Sequence, residues 1–221
     1  MSIWVKICGN TSLDDAQLAA EAGADAIGFV LAPSPRQVTR ELVAEIVPQL
    51  PSAIEKIGVF VDASFDEIAS ALVACSLTGV QLHFDAPPEL PARIRSRFGP
   101  GLRILRVVHF DADTPGKAPE AFHDGNVDAI LVDSRTARAP GGTGVAYDWN
   151  LASDTLFQSV QTRESLLVAA GGLTPENVAE AIAKLHPWGV DVVTGVESAP
   201  GRKDADKVRE FINQARSAAG R

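Results

Sequence analysis

Short apolar runs rich in valine and isoleucine alternate, from one end of the chain to the other, with longer segments whose apolar residues return at helical spacing. That alternation limits the possible folds more than any other feature of the sequence. The predicted strands span 3–8, 25–31, 56–61, 79–83, 103–109, 129–133, 166–170 and 191–194. The predicted helices span 12–22, 40–49, 65–75, 87–98, 114–122, 149–157, 175–185 and 205–218. Ser12 and Ser64 precede acidic first turns, and Thr174 stands before Pro175 and Glu176, so each marks a helix start. Runs such as Ile57-Gly58-Val59-Phe60-Val61 are apolar on both faces, as strands of a covered parallel sheet are. Eight βα units in 221 residues average roughly 28 residues each, which fits a compact, closed (β/α)8 TIM barrel of the α/β class. An open doubly wound sheet is the competing arrangement. No composition shift, linker or low-complexity stretch divides the chain, so residues 1–221 are expected to form a single barrel domain.

Charge and composition narrow the function. Acidic residues outnumber basic ones 28 to 20, a net charge of −8, which disfavours a nucleic-acid partner because phosphate backbones are bound by basic surfaces. No apolar run approaches the roughly 18 residues of a membrane span, and Lys6, Asp14 and Asp15 interrupt any signal-peptide core. The expectation is a cytoplasmic protein without a membrane partner, most simply a monomer. Two cysteines, Cys8 and Cys75, are too few for a disulfide framework. The four histidines are dispersed in sequence, with His83 and His109 ending strands and His123 and His186 near helix ends, so no metal is expected.

In a barrel the catalytic residues follow the strands. Cys8-Gly9-Asn10 ends the first strand, Arg36 follows the second, Gln81 and His83 lie on the fourth, and Asp133 ends the sixth. Gly171-Gly172 follows the seventh strand and Thr194-Gly195 ends the eighth. Glycine turns after strands seven and eight form the usual phosphate site of this architecture, although glycine is common at any such turn; a phosphorylated small molecule is the expected ligand. Cys8 reads either as a small core residue or as an accessible thiolate beside Lys6. Asp133 reads as a desolvated general acid or as a structural cap. Arg36 is suited to a ligand carboxylate, or is a surface cation. Cys75, within an apolar helix, reads as core.

Taken in order, Val5-Lys6-Ile7-Cys8-Gly9-Asn10-Thr11, Gly58-Val59-Phe60-Val61, Val80-Gln81-Leu82-His83, Leu131-Val132-Asp133-Ser134, Gly171-Gly172-Leu173-Thr174-Pro175-Glu176-Asn177-Val178 and Gly195-Val196-Glu197-Ser198-Ala199-Pro200-Gly201 resemble the phosphoribosylanthranilate isomerase family across the whole chain. The resemblance implies a (β/α)8 barrel performing an Amadori rearrangement in tryptophan biosynthesis. It implies Asp133 as general acid, Cys8 as general base and Arg36 as the holder of the anthranilate carboxylate. It places Gln81, His83 and Asp191 at the substrate, and Gly171, Gly172, Thr194 and Gly195 at its phosphate. The substrate nitrogen is its own electron sink, so no cofactor is implied.

Two departures from the family pattern bear on substrate fit: Phe84 replaces a glycine before Asp85, and Val193-Thr194 stands where Ser-Ser is usual. A basic loop at 135–140 reads as a lid over the substrate or as a solvated excursion. The related histidine-pathway isomerase is the nearest rival, but that family carries an aspartate where Cys8 stands, and no half-chain repeat is visible here. A catalytically silent phosphate-binding barrel is the rival of a different class; the presence of both Cys8 and Asp133 argues against it.

Overall fold

The computed structural model describes residues 3–83, 86–110, 124–134, 148–157 and 166–220. Eight parallel strands, β1 (Trp4–Ile7), β2 (Ala26–Val30), β3 (Glu55–Phe60), β4 (Gly79–Leu82), β5 (Arg103–Phe110), β6 (Ala129–Ser134), β7 (Leu166–Ala169) and β8 (Gly189–Val192), pair in chain order. β8 returns to β1 with Lys6 opposite Asp191, which closes the barrel and rules out the open sheet.

Between the strands lie α1 (Leu13–Glu21), α2 (Arg40–Ile46), α3 (Phe65–Ala74), α4 (Glu89–Phe98), α5 (Trp149–Ala152), α6 (Val178–Leu185) and α7 (Ala205–Ala219). α7 buries Val208, Phe211, Ile212 and Ala215, the spacing that presents one stripe of a helix to a sheet. No described helix is long and apolar enough to cross a membrane. Alternate strand residues face the barrel interior, where Trp4, Ile57, Leu105, Leu131 and Val168 share one apolar cluster; the other parity packs beneath the helices.

Local chemistry explains where the boundaries differ from expectation. Ser12 accepts the Asp15 N–H and Ser64 forms a reciprocal box with Glu67, so α1 and α3 begin as predicted. Thr174 does not cap α6. The Asn177 amide accepts the Thr174 N–H at 2.8 Å and donates to the Gly172 carbonyl at 2.9 Å, holding a turn that delays the helix to Val178. Pro48 converts the end of the second predicted helix into a 3-10 turn, Val47–Gln49, and the segment at 149–157 passes from α5 into a π turn, Ser153–Phe157. The eighth strand begins at Gly189, earlier than expected. It stops at Val192 because Val193 leaves the extended region (φ −124, ψ −81), so Thr194 belongs to a 3-10 turn, Thr194–Val196. An antiparallel hairpin, β9 (Glu197–Ala199) with β10 (Arg202–Lys203), follows. The expected helix at 114–122, Phe84-Asp85 and the basic loop at 135–140 lie outside the described residues.

Candidate active site

Strand parity places Lys6 and Cys8 on the interior side of β1, two residues apart. Lys6 is fully buried, and its ammonium donates to Gln81 Oε1 on β4 and to Asp191 Oδ1 on β8, each at 2.9 Å. With Gln81 Oε1 held by the ammonium, the amide nitrogen faces His83 Nδ1 at 3.2 Å. That nitrogen can only donate, so His83 accepts at Nδ1 and carries its own proton on Nε2. His83 Nε2 stands 3.8 Å from Asp133 Oδ2.

Each titrating group is displaced by its surroundings. Burial, the neighbouring His109 and Lys6 push His83 down to about 4, so its approach to Asp133 is not an ion pair at neutral pH. Burial and the charge of Asp191 push Asp133 up to about 7, against the opposing Ser134 N–H and Lys6. Burial also pushes the Cys8 thiol up, with Lys6 drawing it the other way. Cys8 is therefore not the exposed thiolate that its place at a strand mouth suggested: it is 3% exposed, and its sulfur occupies the volume left by Gly28, where a Cβ would meet Sγ at 2.5 Å.

Arg36 is neither a plain surface cation nor an idle one. Its Nε and Nη2 donate to the two oxygens of Glu197 at 2.8 and 2.7 Å. Glu197, on β9, also lies 3.4 Å from Lys203 Nζ, which donates to the Cys8 carbonyl at 2.6 Å. A guanidinium has five N–H donors, so the Nη1/Nη2 edge of Arg36 is left for a further planar anion.

These groups surround one cavity of about 360 Å³. Cys8, Gln81, His83, Asp133 and Asp191 line its floor, Arg36 and Ser34 lie on one side, and Gly171, Gly172 and Thr194 on another. Gly171 (φ +77) and Gly172 (φ +68) adopt left-handed conformations, and a Cβ at Gly171 would meet Asp133 Oδ1 at 2.6 Å. Gly195 stands behind the wall rather than on it, its Cα so close to the Leu173 carbonyl that a Cβ would meet that oxygen at 1.9 Å. The turns after β7 and β8 are thus in direct backbone contact. Cys75 is core, as expected.

The fold brings together histidines that the sequence disperses. His83 and His109 rings are 5.3 Å apart, and donor atoms of His83, His109 and Asp133 all lie within 4.8 Å of one another. The 3.8 Å between His83 Nε2 and Asp133 Oδ2 is wider than the roughly 3.3 Å between donors of a tetrahedral zinc ion. As it stands, the trio sets a neutral His83 beside Asp133, whose proton is favoured by burial and by Asp191. Lys6, Gly28, Glu197 and Lys203 are site residues that sequence reasoning did not single out as such.

Comparison with known proteins gives concordant matches. The family model described as N-(5'phosphoribosyl)anthranilate (PRA) isomerase matches residues 5–214. An N-(5'-phosphoribosyl)anthranilate isomerase of Pelobacter propionicus is 44% identical over 215 residues, covering 97% of this chain and 96% of that one. The crystal structure of phosphoribosyl anthranilate isomerase from Thermotoga maritima is 35% identical with a TM-score of 0.85, covering 97% of this chain and 99% of that one. A further structure of a phosphoribosyl anthranilate isomerase, in complex with reduced 1-(o-carboxyphenylamino)-1-deoxyribulose 5-phosphate, is 34% identical with a TM-score of 0.82, at 97% and 99% coverage.

Proposed function

This chain belongs to the N-(5'-phosphoribosyl)anthranilate isomerase family, the aldose-ketose isomerases of tryptophan biosynthesis, and from that premise we propose that Asp133 and Cys8 carry the two proton transfers of its rearrangement. The aminoaldose must open its furanose ring. Protonation of the ring oxygen by Asp133 lets the anthranilate nitrogen push electrons to C1 and form an iminium. The iminium acidifies the C2 proton, which Cys8 removes to give an enolamine, and the enolamine tautomerises to the ketone.

The observation that carries this reading is that a carboxyl able to hold its proton up to about pH 7 and a buried thiol line the same cavity. In the resting enzyme burial favours the protonated form of both Cys8 and Asp133. The productive arrangement, a protonated Asp133 with a Cys8 thiolate, carries the same net charge as an ionised Asp133 with a Cys8 thiol. Only the position of one proton distinguishes them.

The two ends of the substrate are matched by the two sides of the cavity. The free edge of Arg36 takes the anthranilate carboxylate as a second planar partner beside Glu197. Backbone N–H groups of the Gly171-Gly172 and Thr194-Gly195 turns take the phosphate, Gly195 serving by letting the second turn close against Leu173 rather than by lining the cavity itself. Gln81, His83 and Asp191 bound the sugar between them. We read residues 1–221 as one barrel domain acting in the cytoplasm. A monomer is favoured because the exposed large hydrophobics among the described residues are scattered: Val61, Val73 and Leu151.

The test is to follow freshly prepared phosphoribosylanthranilate with the purified chain by the change in its fluorescence, with the histidine-pathway phosphoribosyl-formimino substrate in parallel. Turnover of the first and not the second is expected. Turnover of the second alone, or of neither, overturns the assignment.

A further inference from the structure

We infer that Lys6 is a positioning residue of this site: its buried ammonium holds Gln81 and Asp191, places a positive charge on the strand face it shares with Cys8, and orients the group beside the acid through Gln81 and His83. The inference rests on the roles of Cys8 and Asp133 proposed above.

Lys6 is among the largest fully buried side chains of the described residues, and a lysine at this depth persists only if its charge is met. An ammonium has three N–H donors. Two are taken by Gln81 Oε1 and Asp191 Oδ1. The third is not taken by either of these, and Cys8, two residues along the same strand face, lies near enough to feel the ammonium charge. A neutral thiol is a weak acceptor and a thiolate a strong one, so the ammonium is better met on this side when Cys8 has given up its proton. Lys6 thus favours the ionised base that the second proton transfer requires.

The same ammonium acts on the acid through two amide and ring contacts. Because it accepts from Lys6, Gln81 Oε1 cannot exchange places with the amide nitrogen, which is therefore held toward His83 Nδ1. His83 Nε2 then faces Asp133 Oδ2 across 3.8 Å, and among the described residues it has no hydrogen-bond partner. Once Asp133 has protonated the ring oxygen, its carboxylate finds a donor already facing it. Base and acid are linked through Lys6, Gln81 and His83, on strands β1 and β4, before any substrate arrives.

Other charges near Cys8 do not duplicate this role. Asp191 opposes the thiolate, Arg36 is bound to Glu197, and Lys203 is shared between Glu197 and backbone carbonyls of Cys8 and Val193. Around Lys6 itself stand Asp191 and Cys8, with His83 and Asp133 close enough to feel its charge.

The experiment compares Lys6→Met, similar in length and uncharged, with the wild type, both in a Cys75→Ala background so that Cys8 is the only thiol. The expected result is a fall in kcat of about 100-fold or more. Affinity for the reduced carboxyphenylamino-deoxyribulose phosphate should stay within about three-fold, because bulk binding is untouched. The ultraviolet titration of the Cys8 thiolate should move up by about one pH unit or more, a change that a purely structural role does not produce. If Lys6→Met does not fold by circular dichroism, Lys6→Gln keeps a donor without the charge and is read the same way. A folded variant with near-normal kcat or an unmoved Cys8 titration overturns the inference. Cys8→Ala in the same assay separates the two levels. Full turnover there overturns the acid–base reading itself, whereas an inactive Cys8→Ala beside an active Lys6→Met overturns only the role of Lys6.

Discussion

Asp133 and the carboxylates at the other end of this barrel are treated in opposite ways. At the N-terminal end of the strands, Asp25 Oδ2 accepts both the Val5 N–H and an Arg216 N–H at 2.7 Å, and Arg216 also donates to the carbonyls of Ile3 and Gly23. Nearby, Arg103 meets Glu55 at 2.8 Å and Arg95 meets Asp128 at 2.7 Å, with Asp128 also accepting the Ile104 N–H. Each of these carboxylates has a guanidinium. At the C-terminal end Asp133 has none among the described residues; the group set beside it is a histidine held neutral. The contrast shows two uses of a carboxylate. Matched with an arginine it fixes strand and helix ends, and without one it keeps a proton that chemistry can use.

Substitutions at either end should therefore fail in different ways. The largest effect is expected for Asp133→Asn and Cys8→Ala: kcat lower by about 10³-fold, with a native circular dichroism spectrum and cooperative thermal unfolding retained, because each removes a proton carrier. Near-normal turnover in either would break the comparison. Next, Arg36→Ala should weaken binding of the reduced product analogue by about 10- to 100-fold with a smaller change in kcat, as loss of one charge-assisted pair implies. Unchanged affinity would remove Arg36 from the carboxylate site. At the opposite end, Arg216→Ala should leave kcat as it was and lower Tm by several degrees, at about 2–4 °C per kcal/mol for a chain of this size. A loss of activity without a loss of Tm would erase the division of labour.

The smallest effect follows from the titration of Asp133. Its folded value of about 7 lies above the ordinary 3.8, so the folded state binds the proton more tightly than the unfolded state does. Stability attributable to this group is present at low pH and is lost as pH rises from about 4 to about 7. Above that range Asp133→Asn, which has no proton to lose, should melt a few degrees higher than the wild type, and the gap should narrow on acidification. A Tm difference that is independent of pH would show that the carboxyl is not held protonated by the fold.

Much of this site was legible in the sequence because the eight-fold alternation fixes which residues end strands. Cys8, Gln81, His83, Asp133, Asp191 and the Gly171-Gly172 turn come to one cavity for that reason alone. Lys6 was not singled out because strands covered on both faces hide their parity: a lysine among Val5, Ile7 and Cys8 gives no sign of which side it faces. Counting back two residues from Cys8 was the available signal. Glu197 and Lys203 escaped notice because their partners, Arg36 and Cys8, lie far away in sequence, and no local pattern encodes such a pairing. The steric roles of Gly28 and Gly171 depend on a neighbour's sulfur and carboxylate, so composition could not disclose them. His83 and His109 meet because adjacent strands of a tilted barrel bring their ends together, which spacing along the chain does not express.

The pairing of Lys6 with Asp191, 185 positions apart in the chain, gives the site an order of assembly. During synthesis the lysine emerges 185 residues before its counter-ion, so until β8 is made the chain carries a cation that it cannot bury at acceptable cost. Contacts of such separation form late, since the loop must close before it is rewarded. Barrel closure and completion of the active site are thus one event, and a nascent or truncated chain lacking β8 should be both unfolded at its first strand and inactive.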